Sequence, residues 1–334
     1  MRSPIFSCLA SLFLGASAFA ADPVAELSSF SVFNNIDLAQ LAKGGVKTAH
    51  GPQLPNPRYL SVQSCYIVPG PPAPHLEAIQ RWTPLAHREL RVWIQQDVPA
   101  RSPEATFAKI KSAPDNSATR AFTTATTKMS NDLQLSRAEA AKWNPANANG
   151  GLGGGVGDFW MGVLAGRARA FTSGGTSALA PYDHSSPALR AGDELNGLLR
   201  EQGNIRKQFG SFLDGTGIGR GAGSIRADQY WQLQQVDDSA AVTLGAFYSR
   251  NSATGAQGAD VTYYASGGFY TGLSLYQLWP VEINGQPSTL VWRGDMTSSG
   301  SLAGLHGMEK LASESAMMKD VGRAVNLLLK DTAR

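Results

Sequence analysis

The 334-residue chain carries 29 basic and 26 acidic side chains, is 43% hydrophobic, and has no run of lysine or arginine. This near-neutral balance gives little electrostatic support to a nucleic-acid or anionic-membrane partner. Cysteines stand only at positions 8 and 65, so the fold depends on a large buried core rather than on a disulfide framework.

Met1-Arg2, the apolar run Pro4 to Ala20 and the small-x-small end Ala18-Phe19-Ala20 predict a signal peptide over residues 1–20, cut before Ala21. Cys8 lies too early in that run to be a lipid-attachment cysteine. Cleavage removes Arg2 and lowers the net charge by one. No later stretch reaches about 18 uninterrupted apolar residues, so no transmembrane segment is expected after it. The expected product is exported: periplasmic if the source is a Gram-negative bacterium, secreted otherwise.

From there the predicted elements run helix, strand, helix, strand. Ile36 to Lys43 has a short helical pattern stopped by Gly44-Gly45. In the next strand Leu60, Val62, Tyr66 and Val68 share one face and Ser61 and Gln63 the other. Cys65 lies within it as a packed small residue. His75 to Trp82 reads as a helix. Leu90, Val92, Ile94 and Val98 alternate with Arg91, Gln95 and Asp97, as in a strand with one buried and one solvated face.

Residues 103–225 form a helical and glycine-rich insertion. It begins with helical patterns over 103–142 and continues through the Gly/Asn loop Asn144 to Gly157. Asp158 to Phe171 reads as a strand, and Ala188 to Leu213 as one or two helices. From Gln229 the chain is a meander whose last hairpin turns at Asn284-Gly285, a dipeptide suited to two consecutive positive φ angles. Val242, Leu244, Ala246 and Tyr248 share one strand face, as do Phe269, Leu273, Leu275 and Trp279, and Leu290, Trp292 and Met296. The apolar stripe Leu311, Met318, Val321, Val325 and Leu328 then marks a C-terminal helix, expected to lie across that apolar face.

This layout resembles the helix-grip fold of the START and polyketide-cyclase-like superfamily. The stretches that carry the likeness are DLAQLAKGGVKTAHG, RYLSVQSCYIV with PPAPHLEAIQRW, TLVWRGDMTS and ESAMMKDVGRAVNLLLK. The resemblance implies an α+β fold over residues 21–334, in which a curved antiparallel sheet packs on the long C-terminal helix around a cavity for a hydrophobic ligand. Insertion 103–225 departs from that pattern.

Catalytic signatures are lacking. Gly175-Thr176-Ser177-Ala178 is missing the last glycine of a nucleophile elbow, and no His-Glu-x-x-His or paired Cys/His spacing occurs. Asp183-His184 is the most attractive catalytic pair, although such neighbours on a polar loop more often face water. Gly215 to Gly223 has neither the P-loop ending nor the dinucleotide spacing. Arg293-Gly294-Asp295 matches an integrin-recognition tripeptide by chance. No cofactor, metal ligand or catalytic residue is assigned.

The aromatics concentrated in the meander serve ordinary sheet packing or line a pocket. On the second reading Phe247, Phe269, Leu273, Trp279, Trp292 and Met318 are the expected contacts. Arg293 is the candidate polar anchor, but parity turns it to the face opposite Trp292, which favours solvent over pocket unless a bulge intervenes. The expected function is non-catalytic binding of a hydrophobic or amphipathic, lipid-like small molecule. The alternatives are a solid-cored interaction or assembly protein with a cell-envelope partner, and an enzyme on the same scaffold.

Overall fold

A computed structural model describes residues 22–185 and 188–333. The expected leader therefore lies outside the described residues. Two short helices open the chain, α1 (Pro23–Phe30), capped by the Asp22 carboxylate, and α2 (Leu38–Gly44). Strands β1 (Lys47–His50) and β2 (Tyr59–Pro69), helix α3 (Pro72–Arg81) and strand β3 (Val92–Val98) follow.

The insertion contributes α4 (Ser117–Thr127), α5 (Arg137–Ala140), α6 (Gly155–Gly174), α7 (Ala191–Glu201), α8 (Gly203–Gln208) and α9 (Gly210–Thr216). The meander is β4 (Asp228–Val236), β5 (Ser239–Ser252), β6 (Gly255–Ala265), β7 (Thr271–Ile283) and β8 (Gln286–Ser298). It leads into α10 (Met308–Thr332).

All eight strands join one open antiparallel sheet in the order β1-β2-β8-β7-β6-β5-β4-β3. The final strand thus returns beside β2, and β3 lies at the far edge. The β7–β8 hairpin turns at Asn284 and Gly285, both with positive φ (52° and 76°), as the sequence requires.

Both faces of the sheet are covered, which corrects the expected place of the C-terminal helix. Leu273, Leu275, Trp279, Leu290, Trp292 and Met296 do share a face, but α1 and the insertion cover it, not α10. Phe30 of α1 meets the Trp292 ring edge-on at 4.9 Å, and Phe171 of α6 stacks on Tyr263 at 3.8 Å. Helix α10 lies on the opposite face, where Val321, Val325 and Leu328 pack with Leu60, Val62, Tyr66, Val68 and Val291. Two histidine–carboxylate contacts hold its ends: His50 to Glu314 at 3.0 Å and His87 to Asp331 at 2.7 Å. Leu311, at the start of the expected stripe, is 49% exposed.

The second correction concerns residues 158–171, which form part of α6 rather than a strand. Val156, Trp160, Val163, Arg167 and Phe171 recur at three- and four-residue intervals and are all buried. The arginine interrupts the apolar pattern that announces such a helix. It is tolerated because Glu139 accepts from Arg167 Nη2 at 2.6 Å, the Ala180 carbonyl accepts from Nη1 at 2.8 Å, and the guanidinium lies 4.3 Å from the Tyr264 ring centre. The insertion belongs to the same hydrophobic cluster as the sheet.

Candidate functional site

The face under α3 and α10 is not filled. A cavity of about 880 Å³ runs from under these helices to the β3–β4 edge of the sheet, walled by Ile79, Gln80 and Arg81 of α3, Ala324 and Leu328 of α10 and, at the edge, Phe171 and Thr172 of α6. The loop entering β4 and the outer strand β3 form its rim, bringing in Asp97, Arg226 and Asp228.

Strand alternation makes the floor. Tyr230 on β4, Phe247 on β5, Asp260 on β6, Tyr276 on β7 and Arg293 on β8 all project to this side. Tyr230 lies across Gly245, where a Cβ would come within 2.2 Å of its ring; the missing side chain lets the phenol reach Asp260. Its hydroxyl donates to Asp260 Oδ1 at 2.7 Å. No second hydrogen bond reaches the Asp260 carboxylate among the described residues, and the half-buried residue leaves Oδ2 open to the cavity.

Arg293 is fixed differently. Its Nε donates to Asp295 Oδ2 at 2.8 Å, its Nη2 donates to Oδ1 at 2.6 Å, and Ser274 donates to the same carboxylate at 2.6 Å. The guanidinium lies 5.4 Å from the Tyr276 ring centre. Burial works against its charge, but Asp295 more than offsets this and holds it protonated.

The Asp260 carboxyl is pushed up to about 6, chiefly by burial; the Tyr230 hydrogen bond and Arg293 act the other way, and Asp295 adds to the rise. The fold therefore favours protonated Asp260. Its stabilising contribution is greatest below the unfolded-state value of roughly 3.9 and is lost as pH rises through the folded-state value. Asp260→Asn is expected to be more stable than wild type at pH 7, by on the order of 2 kcal/mol, and to converge with it near pH 4. Thermal melts at the two pH values check this, and a gap independent of pH would contradict it.

Of the residues expected from the sequence, Phe247 lines the cavity, and Met318 is half-buried on α10 against the same apolar cluster. The structure does not bring the other four to them. Leu273, Trp279 and Trp292 are closely packed in the core of the opposite face, and Phe269 sits in the connection between β6 and β7. Arg293 does oppose Trp292, as parity requires, but it faces the cavity instead of solvent because α3 and α10 roof that side.

Other sequence candidates have structural partners. Arg137 N–H donates to Asp183 Oδ1 at 2.8 Å, and His184 Nε2 lies 3.2 Å from the Met129 carbonyl. The glycine loop 215–223 is anchored by Ile225 N–H to the Gly215 carbonyl and Ser177 N–H to the Arg220 carbonyl. Arg293-Gly294-Asp295 lies inside β8 with Asp295 buried, so the tripeptide is not displayed. Burial pushes the unpaired Cys65 thiol up to about 12. Among the described residues no group of three His, Cys, Asp or Glu side chains is placed to hold a metal ion, and no helix is long and apolar enough to cross a membrane.

Fold and site together define an α+β protein with one open antiparallel sheet that is packed on both faces, with a cavity beside the core on the α3/α10 side. Compared with known proteins, the chain matches no family model, no curated protein and no solved structure.

Proposed function

We propose that the protein is an exported, non-catalytic binding protein of helix-grip type whose ligand is a small amphipathic molecule. The observation that carries this is the cavity of about 880 Å³, which sets apolar side chains of α3, β5 and α10 beside polar groups that converge on its floor. Export rests on the leader-like residues 1–20. The helix-grip reading is supported by the strand order, in which β2 and β3 flank the meander, α3 connects them, and the last strand leads into α10.

Ile79, Phe247, Ala324 and Leu328 offer apolar contact to the ligand's body, each buried methylene contributing about 0.8 kcal/mol. Tyr230, Asp260 and Arg293 offer its polar end a hydrogen-bonding floor. A solid-cored assembly protein would leave this polar-floored cavity without a role. Native mass spectrometry of protein purified from an envelope fraction tests the proposal. A stoichiometric mass excess lost on denaturation is the expected result, and a bare chain after incubation with envelope lipids would overturn it.

A further inference from the structure

The charges around the cavity are equal in number but unequally paired. Three aspartates line it, Asp97, Asp228 and Asp260, against three arginines. Two of those arginines are already neutralised: Arg81 by Glu77 at 2.6 Å and Arg293 by Asp295. Only Arg226 forms no ion pair among the described residues, whereas none of the three aspartates is paired with a cation. Asp228 accepts from the Gln80 amide and Asp260 from the Tyr230 hydroxyl, both neutral donors.

An ionised carboxylate enclosed by protein and served by one neutral donor lacks much of the solvation it has in water. Asp260 is in that position at the cavity floor, with one oxygen facing the empty space and the rings of Tyr230, Phe247 and Tyr276 around it. Aromatic faces attract organic cations. An anionic head group at the floor, by contrast, would meet a guanidinium already occupied by Asp295 and a nearby carboxylate, since Arg226 lies on the rim in the loop entering β4.

We infer that the ligand's polar end is an organic ammonium group that donates to Asp260 Oδ2 while its apolar body lies between the sheet and helices α3 and α10. This rests on the binding reading above and names the ligand class. The groups facing Asp260 are Asp228 and Tyr230 of β4, Tyr276 of β7, Arg293 and Asp295 of β8, Arg81 of α3, and Asp97 and Arg226 across the rim; His75 of α3 lies against Tyr66 instead. Burial keeps His75 neutral, its pKa lowered to about 4. The α10 residues lining the cavity, Ala324 and Leu328, are apolar.

Isothermal titration with decylamine, decanol and decanoate, below their micellar concentrations, tests the inference. At pH 8 decylamine should bind about tenfold more tightly than decanol, the difference between a charge-assisted and a neutral hydrogen bond, and decanoate should bind weakest. A primary ammonium stays charged from pH 5 to 8, so changes over that range report on the protein. Because Asp260 titrates at about 6, decylamine affinity should fall about tenfold from pH 8 to pH 5, with decanol nearly constant. Asp260→Asn should erase the preference for the amine.

Decylamine no tighter than decanol, decanoate as tight as decylamine, or an amine preference unchanged in Asp260→Asn would each overturn the ammonium assignment and leave the cavity reading standing. Failure of all three probes to bind would overturn both. The wild-type comparisons decide the matter even if the variant does not fold.

Discussion

Trp292→Ala is expected to destabilise the protein by about 3–5 kcal/mol, the usual cost of emptying a large aromatic site in a close-packed core, without changing ligand affinity per folded molecule. Trp292 is fully buried, and its indole donates to Gln63 Oε1 at 3.0 Å. Its ring also meets Phe30 of α1 and, at 5.7 Å, Phe209 between α8 and α9. One side chain therefore joins the N-terminal helix and the insertion to the sheet, and removing it weakens both attachments. Denaturant unfolding combined with a binding titration of the folded fraction checks the result. A loss below about 1 kcal/mol would mean that Trp292 does not sit in a close-packed core, and a changed affinity would mean that it belongs to the ligand site after all.

Asp295→Ala is expected to cost a similar amount for a different reason. The carboxylate is buried and holds Arg293, whose side chain is only 17% exposed. Removing one member of such a pair leaves a poorly solvated charge, at a cost of about 3–5 kcal/mol. The double variant Arg293→Met/Asp295→Ala should recover most of the loss, because it removes the orphaned charge as well. Asp295→Ala should also free the guanidinium toward the cavity and invert the head-group preference, so that decanoate gains on decylamine. Equal stability of the single and double variants would show that the pair is not what holds the floor together.

Trp292 and Arg293 show what could be read from the sequence and what could not. Alternation along β8 puts them on opposite sides, and parity alone establishes that. What lies over each side depends on strand register and on the path of the insertion. Cys65 pairs with Trp292 and Ser64 with Arg293. The apolar row Leu60, Val62, Tyr66 and Val68 consequently falls on Arg293's side, and both sides carry a core.

Reading each strand by itself assigns the apolar row of β8 to the C-terminal helix, when that row is already covered by α1 and, from the insertion, by α7 and Phe209. The long strands, α3 and α10 were legible because their periodicities are local. Helix α6 was not, because its stripe contains Arg167, whose partner Glu139 lies 28 residues earlier in the chain. The candidate site was the least legible part. Tyr230, Asp260 and Arg293 come from three strands and look like ordinary solvent-side polar residues until the register brings them together under two helices.

The central claim is that the space between the sheet and α10 holds a ligand. The most direct test is to compare native mass spectra of wild-type protein and Ala324→Trp, purified identically from an envelope fraction. Ala324 faces the cavity from α10 and is half-buried, so an indole there occupies ligand space from the helix side. The account predicts a stoichiometric small-molecule mass on the wild type that denaturation releases, and its absence from a folded Ala324→Trp. A bare wild-type chain, or an equal mass excess on both proteins, would contradict it.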